Sequence, residues 1–157
     1  TDTDTDTGDK DTGDKDTGDK DTGEKDTGDK DTGETPSCTE ADLEWAAEVR
    51  DSKGTTKTGF YTTEKLLFVG IVRNPCEEDV DFTSGMGCFV ATWDLTGSVT
   101  TTTQSSVCDQ SITTFTVPSG GQIEETYPWG QVKGDSYVMT ANFTYNSQSA
   151  FAKFQVK

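Results

Sequence analysis

Two patterns of polar and apolar residues divide the chain at about Pro36. After it, short apolar runs alternate with polar positions and stop at turn residues, with no sustained helical period; this predicts strands. In the first run Leu43, Trp45, Ala47 and Val49 share one face. Residues 64–72 (EKLLFVGIV) are almost continuously apolar, as expected of a central strand covered on both sides. The short run DVDFT follows, then residues 88–97 (CFVATWDLTG), which end at a Thr-Gly turn. SITTFTV alternates up to a Pro-Ser-Gly-Gly turn and leads into residues 122–129 (QIEETYPW). Tyr137, Met139, Ala141 and Phe143 alternate in the next run, and Ala150, Ala152, Phe154 and Val156 in the last. The one helical alternative covers residues 39–49, where Thr39 can cap and Asp42 stands three positions on. Strict alternation over four positions favours strand.

Seven or eight short strands at this spacing predict an all-β fold, an immunoglobulin-like β-sandwich over residues 37–157. Residues 1–36 form a separate, extended low-complexity arm built on a five-residue Asp-Thr-Gly-Asp-Lys unit. Residues 1–34 hold fourteen acidic residues and five lysines, a net charge of −9, and contain only Thr, Asp, Gly, Lys and Glu. Nothing there can bury a core to offset the roughly 1–2 kcal/mol that ordering each residue's backbone costs. The remaining residues carry −7, which completes the −16 of the whole chain. Such acidity argues against nucleic acid or anionic membrane surfaces as partners.

Each arm unit places a threonine beside glycine, and Thr7, Thr12, Thr17, Thr22, Thr27 and Thr32 are candidate O-glycosylation sites. In a polyproline II conformation, successive threonines would turn by a third of a revolution and covalent glycans would cover all sides. The plainer reading is an unmodified linker. Extended at ~3.3 Å per residue, 34 residues reach about 110 Å, past a neighbouring domain. Asp2, Asp4 and Asp6 alternate like the ligands of a calcium loop, but Gly8 is out of place and no helices flank it. The expectation is weak divalent cation binding by the arm and no resident cofactor.

Cys38, Cys76, Cys88 and Cys108 all lie in the apolar part, without His and without a CxxC spacing. Two disulfides fit better than a zinc site and point to an extracellular or cell-surface protein. Four cysteines allow three connectivities. If residues 43–49 run antiparallel to residues 64–72, Cys38 comes near Cys76, which favours that pair together with Cys88 and Cys108. No run of 18 apolar residues exists to form a membrane span. A start at Thr1 with no signal-like stretch leads to the expectation of a processed mature chain.

The chemistry is mostly absence. Without histidine, Ser-His-Asp, Cys-His and His-ligated metal sites are excluded. PSGGQ lacks the lysine and the helix of a phosphate loop. Glu77-Glu78-Asp79 and Glu124-Glu125 read as solvated loops or strand edges rather than acid–base pairs. No enzyme is expected. Asn142-Phe143-Thr144 is an N-glycosylation sequon, but it falls within a predicted strand, which favours an unmodified Asn142.

From Asn74 onward the order of features resembles the BsuPI-type family of intracellular proteinase inhibitors. The resemblance is carried by Asn74, FTSG at 82–85, CFVATWDLTG, VPSGG at 117–121, YPW at 127–129 and GDSY at 134–137. It implies the immunoglobulin-like fold. SVTTTTQSSVC replaces a Trp-rich segment, and two disulfides would be foreign to an intracellular inhibitor, so activity does not follow from fold. The arm resembles the low-complexity leaders of bacterial surface lipoproteins.

Together these features lead to the expectation of an extracellular structural subunit. It would self-assemble as a helical fibril, with the arm contacting neighbouring copies and residues 43–49 (Leu43, Trp45, Ala47, Val49) as the candidate donated strand. The alternatives are a monomeric surface binding domain on a flexible spacer and an exported proteinase inhibitor.

Overall fold

The computed structural model describes residues 37–157. The arm, with its candidate glycosylated threonines and its alternating aspartates, lies outside the described residues. Ten strands follow one another: β1 Glu44–Asp51, β2 Gly59–Phe60, β3 Leu66–Arg73, β4 Val80–Ser84, β5 Val90–Thr96, β6 Thr101–Ser105, β7 Thr113–Val117, β8 Gln122–Gly130, β9 Asp135–Phe143 and β10 Ser149–Val156. They form a three-stranded sheet, β1-β3-β8, a five-stranded sheet, β2-β10-β9-β5-β6, and a two-stranded sheet, β4-β7. All pairings are antiparallel except the short one between β2 and β10. The described domain is an all-β, immunoglobulin-like sandwich.

The sheets meet over a core of Phe68, Val72, Val90, Trp93, Met139, Ala141 and Phe154, all nearly or fully buried. Each large apolar side chain so buried stabilises the fold by roughly 1.5–3 kcal/mol. Gly70, at the middle of β3, sets how closely the layers approach. A Cβ there would lie 2.6 Å from Val90 Cγ2 and 3.4 Å from Trp93, so only glycine fits without displacing the facing sheet. It also shows which way β3 faces: Phe68, Gly70 and Val72 look inward, and Val69 and Ile71 look out.

The helical cue at Thr39 and the strand cue after it are both used. Thr39 caps a single 3-10 turn, Glu40–Asp42, in a capping box with Asp42. Asp42 Oδ2 accepts from the Thr39 backbone at 2.9 Å. The turn ends at Leu43, whose backbone is already extended, because β1 must present alternate residues to β3. Asn74 then ties the end of β3 to the β7–β8 turn. Its Nδ2 donates to the carbonyls of Glu78 (2.8 Å) and Val117 (2.9 Å), its Oδ1 accepts from Cys76 N–H, and its own N–H donates to Gly121 O. Those bonds answer the polar groups of a side chain only 2 % exposed.

Two strands exceed the seven or eight expected. β2 has two residues and pairs in parallel with the end of β10, too short a stretch to show a period. β6 is exposed at all five positions, TTTQS, so it carries no apolar alternation for a hydrophobic pattern to reveal.

Candidate functional site: the outward face of the five-stranded sheet

Trp93, Leu95, Met139, Ala141, Phe154 and Val156 point into the core. Strand alternation therefore turns their neighbours outward. Register lines those neighbours up in rows across the sheet. One row runs Ser105, Thr92, Asn142, Ser149; the next Thr103, Asp94, Thr140, Phe151; the third Thr101, Thr96, Val138, Lys153. The polar groups bond along and between the rows. Thr103 Oγ1 donates to Asp94 Oδ1 (2.5 Å), Asn142 Nδ2 to Asp94 Oδ2 (2.8 Å) and to Thr92 Oγ1 (2.9 Å), and Ser149 Oγ to Asn142 Oδ1 (2.9 Å). The hydroxyls of Thr96 and Thr101 stand 3.1 Å apart. Within these rows Asp94 and Lys153 are the only charged residues.

Phe151 breaks the polar pattern. Its ring is 65 % exposed at the end of the Asp94 row, with Lys153 Nζ 5.9 Å from the ring centroid. An open groove of about 590 Å³ that takes in Lys153 is also lined by Thr58, Ser136, Tyr137, Val138, Phe154 and Gln155. The face thus combines hydroxyl, amide and carboxylate groups, one exposed aromatic ring and a shallow depression.

The outward face of β1-β3-β8 is of another kind. Arg50 on β1 reaches across β3 to Glu124 on β8 with two bonds, at 2.6 and 2.8 Å, and also donates to Glu48. Arg73 donates to Glu48 and to Gln122. Register places this charged lattice over the fully buried Val69 and Ile71. Its charges settle one another. Arg50 hydrogen bonding holds the Glu124 carboxyl below its ordinary range, and Arg50 itself is raised, chiefly by Glu124.

Glu124 and Glu125, adjacent in sequence, do not act together, because alternation sends Glu125 inward. Its Oε2 accepts from the backbone N–H groups of Phe89 (2.8 Å) and Val90 (3.1 Å), fastening β8 to the start of β5. Burial pushes its pKa up against those bonds. The carboxylate lies beside the Cys88 and Cys108 sulfurs. Those sulfurs are joined in a disulfide, so the three groups offer no thiolate for a metal. Glu125 is thus neither a solvated strand edge nor half of a carboxylate pair. A strand parity count, placing it on the Ile123–Tyr127 face, would have found it.

The second disulfide joins Cys38 to Cys76, and the described residues contain no free cysteine. β1, with Trp45, Ala47 and Val49, pairs with β3 of its own chain over eight residues, and Leu43 just before it is buried. Asn142 sits inside β9 with its amide nitrogen engaged twice. Among the described residues no helix is long and apolar enough to cross a membrane.

No protein-family model matches the chain, and no curated protein does. Among solved structures, it is similar to the CARDB domain of a Pyrococcus furiosus protein, crystallised in complex with di-metal ions. That likeness has 11% identity and a TM-score of 0.38, and covers 73% of this chain and 93% of that one.

Proposed function

We propose that this chain is an extracellular recognition module, a disulfide-stabilised sandwich displayed on the acidic repeat arm. It binds through the outward face of the five-stranded sheet and is not an enzyme. The observation that carries the reading is the contrast between that face and its opposite. The charged lattice of β1-β3-β8 pairs full charges with one another, whereas the rows around Asp94 and Phe151, though bonded among themselves, set hydroxyl and amide groups beside an exposed aromatic ring. A first strand seated in its own chain supports a module complete as a monomer. Two disulfides support an oxidising, extracellular setting.

One observation favours the assembly reading, in which the arm contacts neighbouring copies in a glycosylated fibril. β6 is an edge strand exposed throughout, with no charged residue or proline within it to discourage pairing with another chain. The inhibitor reading has no comparable support, since Asn74 and the 117–121 turn, which carry the BsuPI resemblance, are occupied in an internal stitch.

Sedimentation and electron microscopy of the full natively modified chain, beside a chain lacking residues 1–36, separate these readings. Monomers in both preparations are expected. Filaments from the full chain, lost on removing the arm, would replace the recognition module with the fibril subunit.

A further inference from the structure

We propose that the outward face of the five-stranded sheet binds an extended, uncharged polysaccharide. This rests on the recognition reading above and adds the chemistry of the ligand. Three features select it. First, neighbouring strands repeat at ~4.8 Å, close to the interval between successive sugars in an extended β-linked chain. A polymer laid across the strands would therefore meet an equivalent row position at each sugar. Thr103, Asp94, Thr140 and Phe151 form such a row, one residue from each of four adjacent strands.

Second, the chemistry of the row suits a polyol. Hydroxyl and carboxylate oxygens fixed by Thr103 and Asn142 offer oriented acceptors and donors, and carboxylate oxygens retain further lone pairs for sugar hydroxyls. At the end of the row the exposed Phe151 ring offers an apolar face for the C–H side of a pyranose, the kind of rigid aromatic anchor that concentrates binding energy.

Third, the charges within the rows favour an uncharged ligand. An anionic polymer would find Lys153 as the only cation in these rows, with Asp94 nearby. A basic partner would find a single carboxylate there, already receiving two hydrogen bonds. An uncharged chain loses nothing to either.

Affinity electrophoresis of the full chain tests this, with a soluble β-glucan, a xylan and a glucomannan as neutral polymers and alginate and a basic protein as charged controls. Retardation by at least one neutral polymer is expected, reduced at least tenfold in Phe151→Ala with an unchanged near-ultraviolet circular dichroism spectrum. Phe151→Trp should retain it. Retention only by alginate or the basic protein, lost in Phe151→Ala, would overturn the assignment of an uncharged polysaccharide and leave the recognition face standing. Retention by none, or retention indifferent to Phe151→Ala, would overturn the assignment outright. A filamentous chain would instead count against the recognition reading itself.

Discussion

The two outward faces of the sandwich solve the same problem differently. Each belongs to a sheet whose inner side is committed to the core, and each must be polar. On β1-β3-β8 polarity is achieved with full charges that cross the sheet and pair, Arg50 with Glu124 and Glu48, Arg73 with Glu48. On the five-stranded sheet it is achieved with hydroxyl and amide groups, with one carboxylate held by Thr103 and Asn142, and with one lysine, Lys153, over Phe151. A paired charge directs its strongest interactions inward along the surface. A row of hydroxyl, amide and carboxylate groups beside an exposed ring has lone pairs left over, which the proposed ligand would use. On that reading the more charged face is the less receptive one.

The disulfides test the contrast most severely, because each serves a different layer. Cys38–Cys76 joins the segment before β1 to the loop after β3, while Cys88–Cys108 joins the segment just before β5 to the loop after β6. With sequence separations of 38 and 20, loop-closure entropy gives about 4 and about 3 kcal/mol respectively. Replacing each pair by alanines should lower denaturant-derived stability in that order. Hydrogen exchange should show β1 losing protection first in the former and β6 in the latter. Loss of protection across both sheets alike in each variant would mean that the layers do not fail separately.

Charge gives a smaller effect with a diagnostic salt dependence. Arg50→Ala removes the two-bond pair with Glu124 and leaves two carboxylates facing each other, at a cost of about 1–2 kcal/mol at low ionic strength after allowing for partial exposure. Molar salt should shrink the cost by screening. Thr101→Ala on the other face should cost less than about 0.5 kcal/mol and show no salt dependence. Equal costs at low and high salt for Arg50→Ala would show that the packing of its alkyl stem, not its charge, matters.

How much of this could be read beforehand depends on the physical signal each element leaves. β3 was legible as a nearly continuous apolar run and β9 because its buried residues recur at alternate positions, and the sandwich follows from strands of these two kinds. The capping signal at Thr39 was real but governed one turn, since propensity is local and the extended pairing of β1 with β3 overrode it. β6 left no apolar signal at all. The candidate face was illegible for a related reason. Thr92, Asp94, Thr103 and Asn142 look like ordinary polar positions until register brings them side by side from three strands. Glu125 was misread as a solvated strand-edge residue because two adjacent carboxylates look equally polar in sequence, whereas strand alternation turns them to opposite faces.

The smallest expected effect is the one with a sign. Around the end of β1, Asp51 accepts from Lys57 and from the N–H groups of Thr55 and Lys53, and its pKa is lowered to about 2. Glu64 and Glu124 are also lowered, by Lys57 and by Arg50 respectively. Groups depressed in the folded state bind fewer protons there than in the unfolded chain. Their contribution is therefore complete above the ordinary carboxylate range and is lost as pH falls from about 4.5 towards about 2. Glu125, raised by burial, has the opposite sign: the folded state holds its proton more tightly, so its effect on stability becomes less favourable as pH rises above its ordinary range. Glu125→Gln removes that penalty while keeping an acceptor for the Phe89 and Val90 N–H groups. Its stability relative to the parent should therefore improve as pH rises from about 4 to about 7, whereas Asp51→Asn should lose relative stability lower down, as pH rises from about 2 to about 4.5. Chemical denaturation across both windows measures the two effects. Parallel pH curves for the two variants would show that the inward carboxylate and the outward cluster do not differ as their environments require.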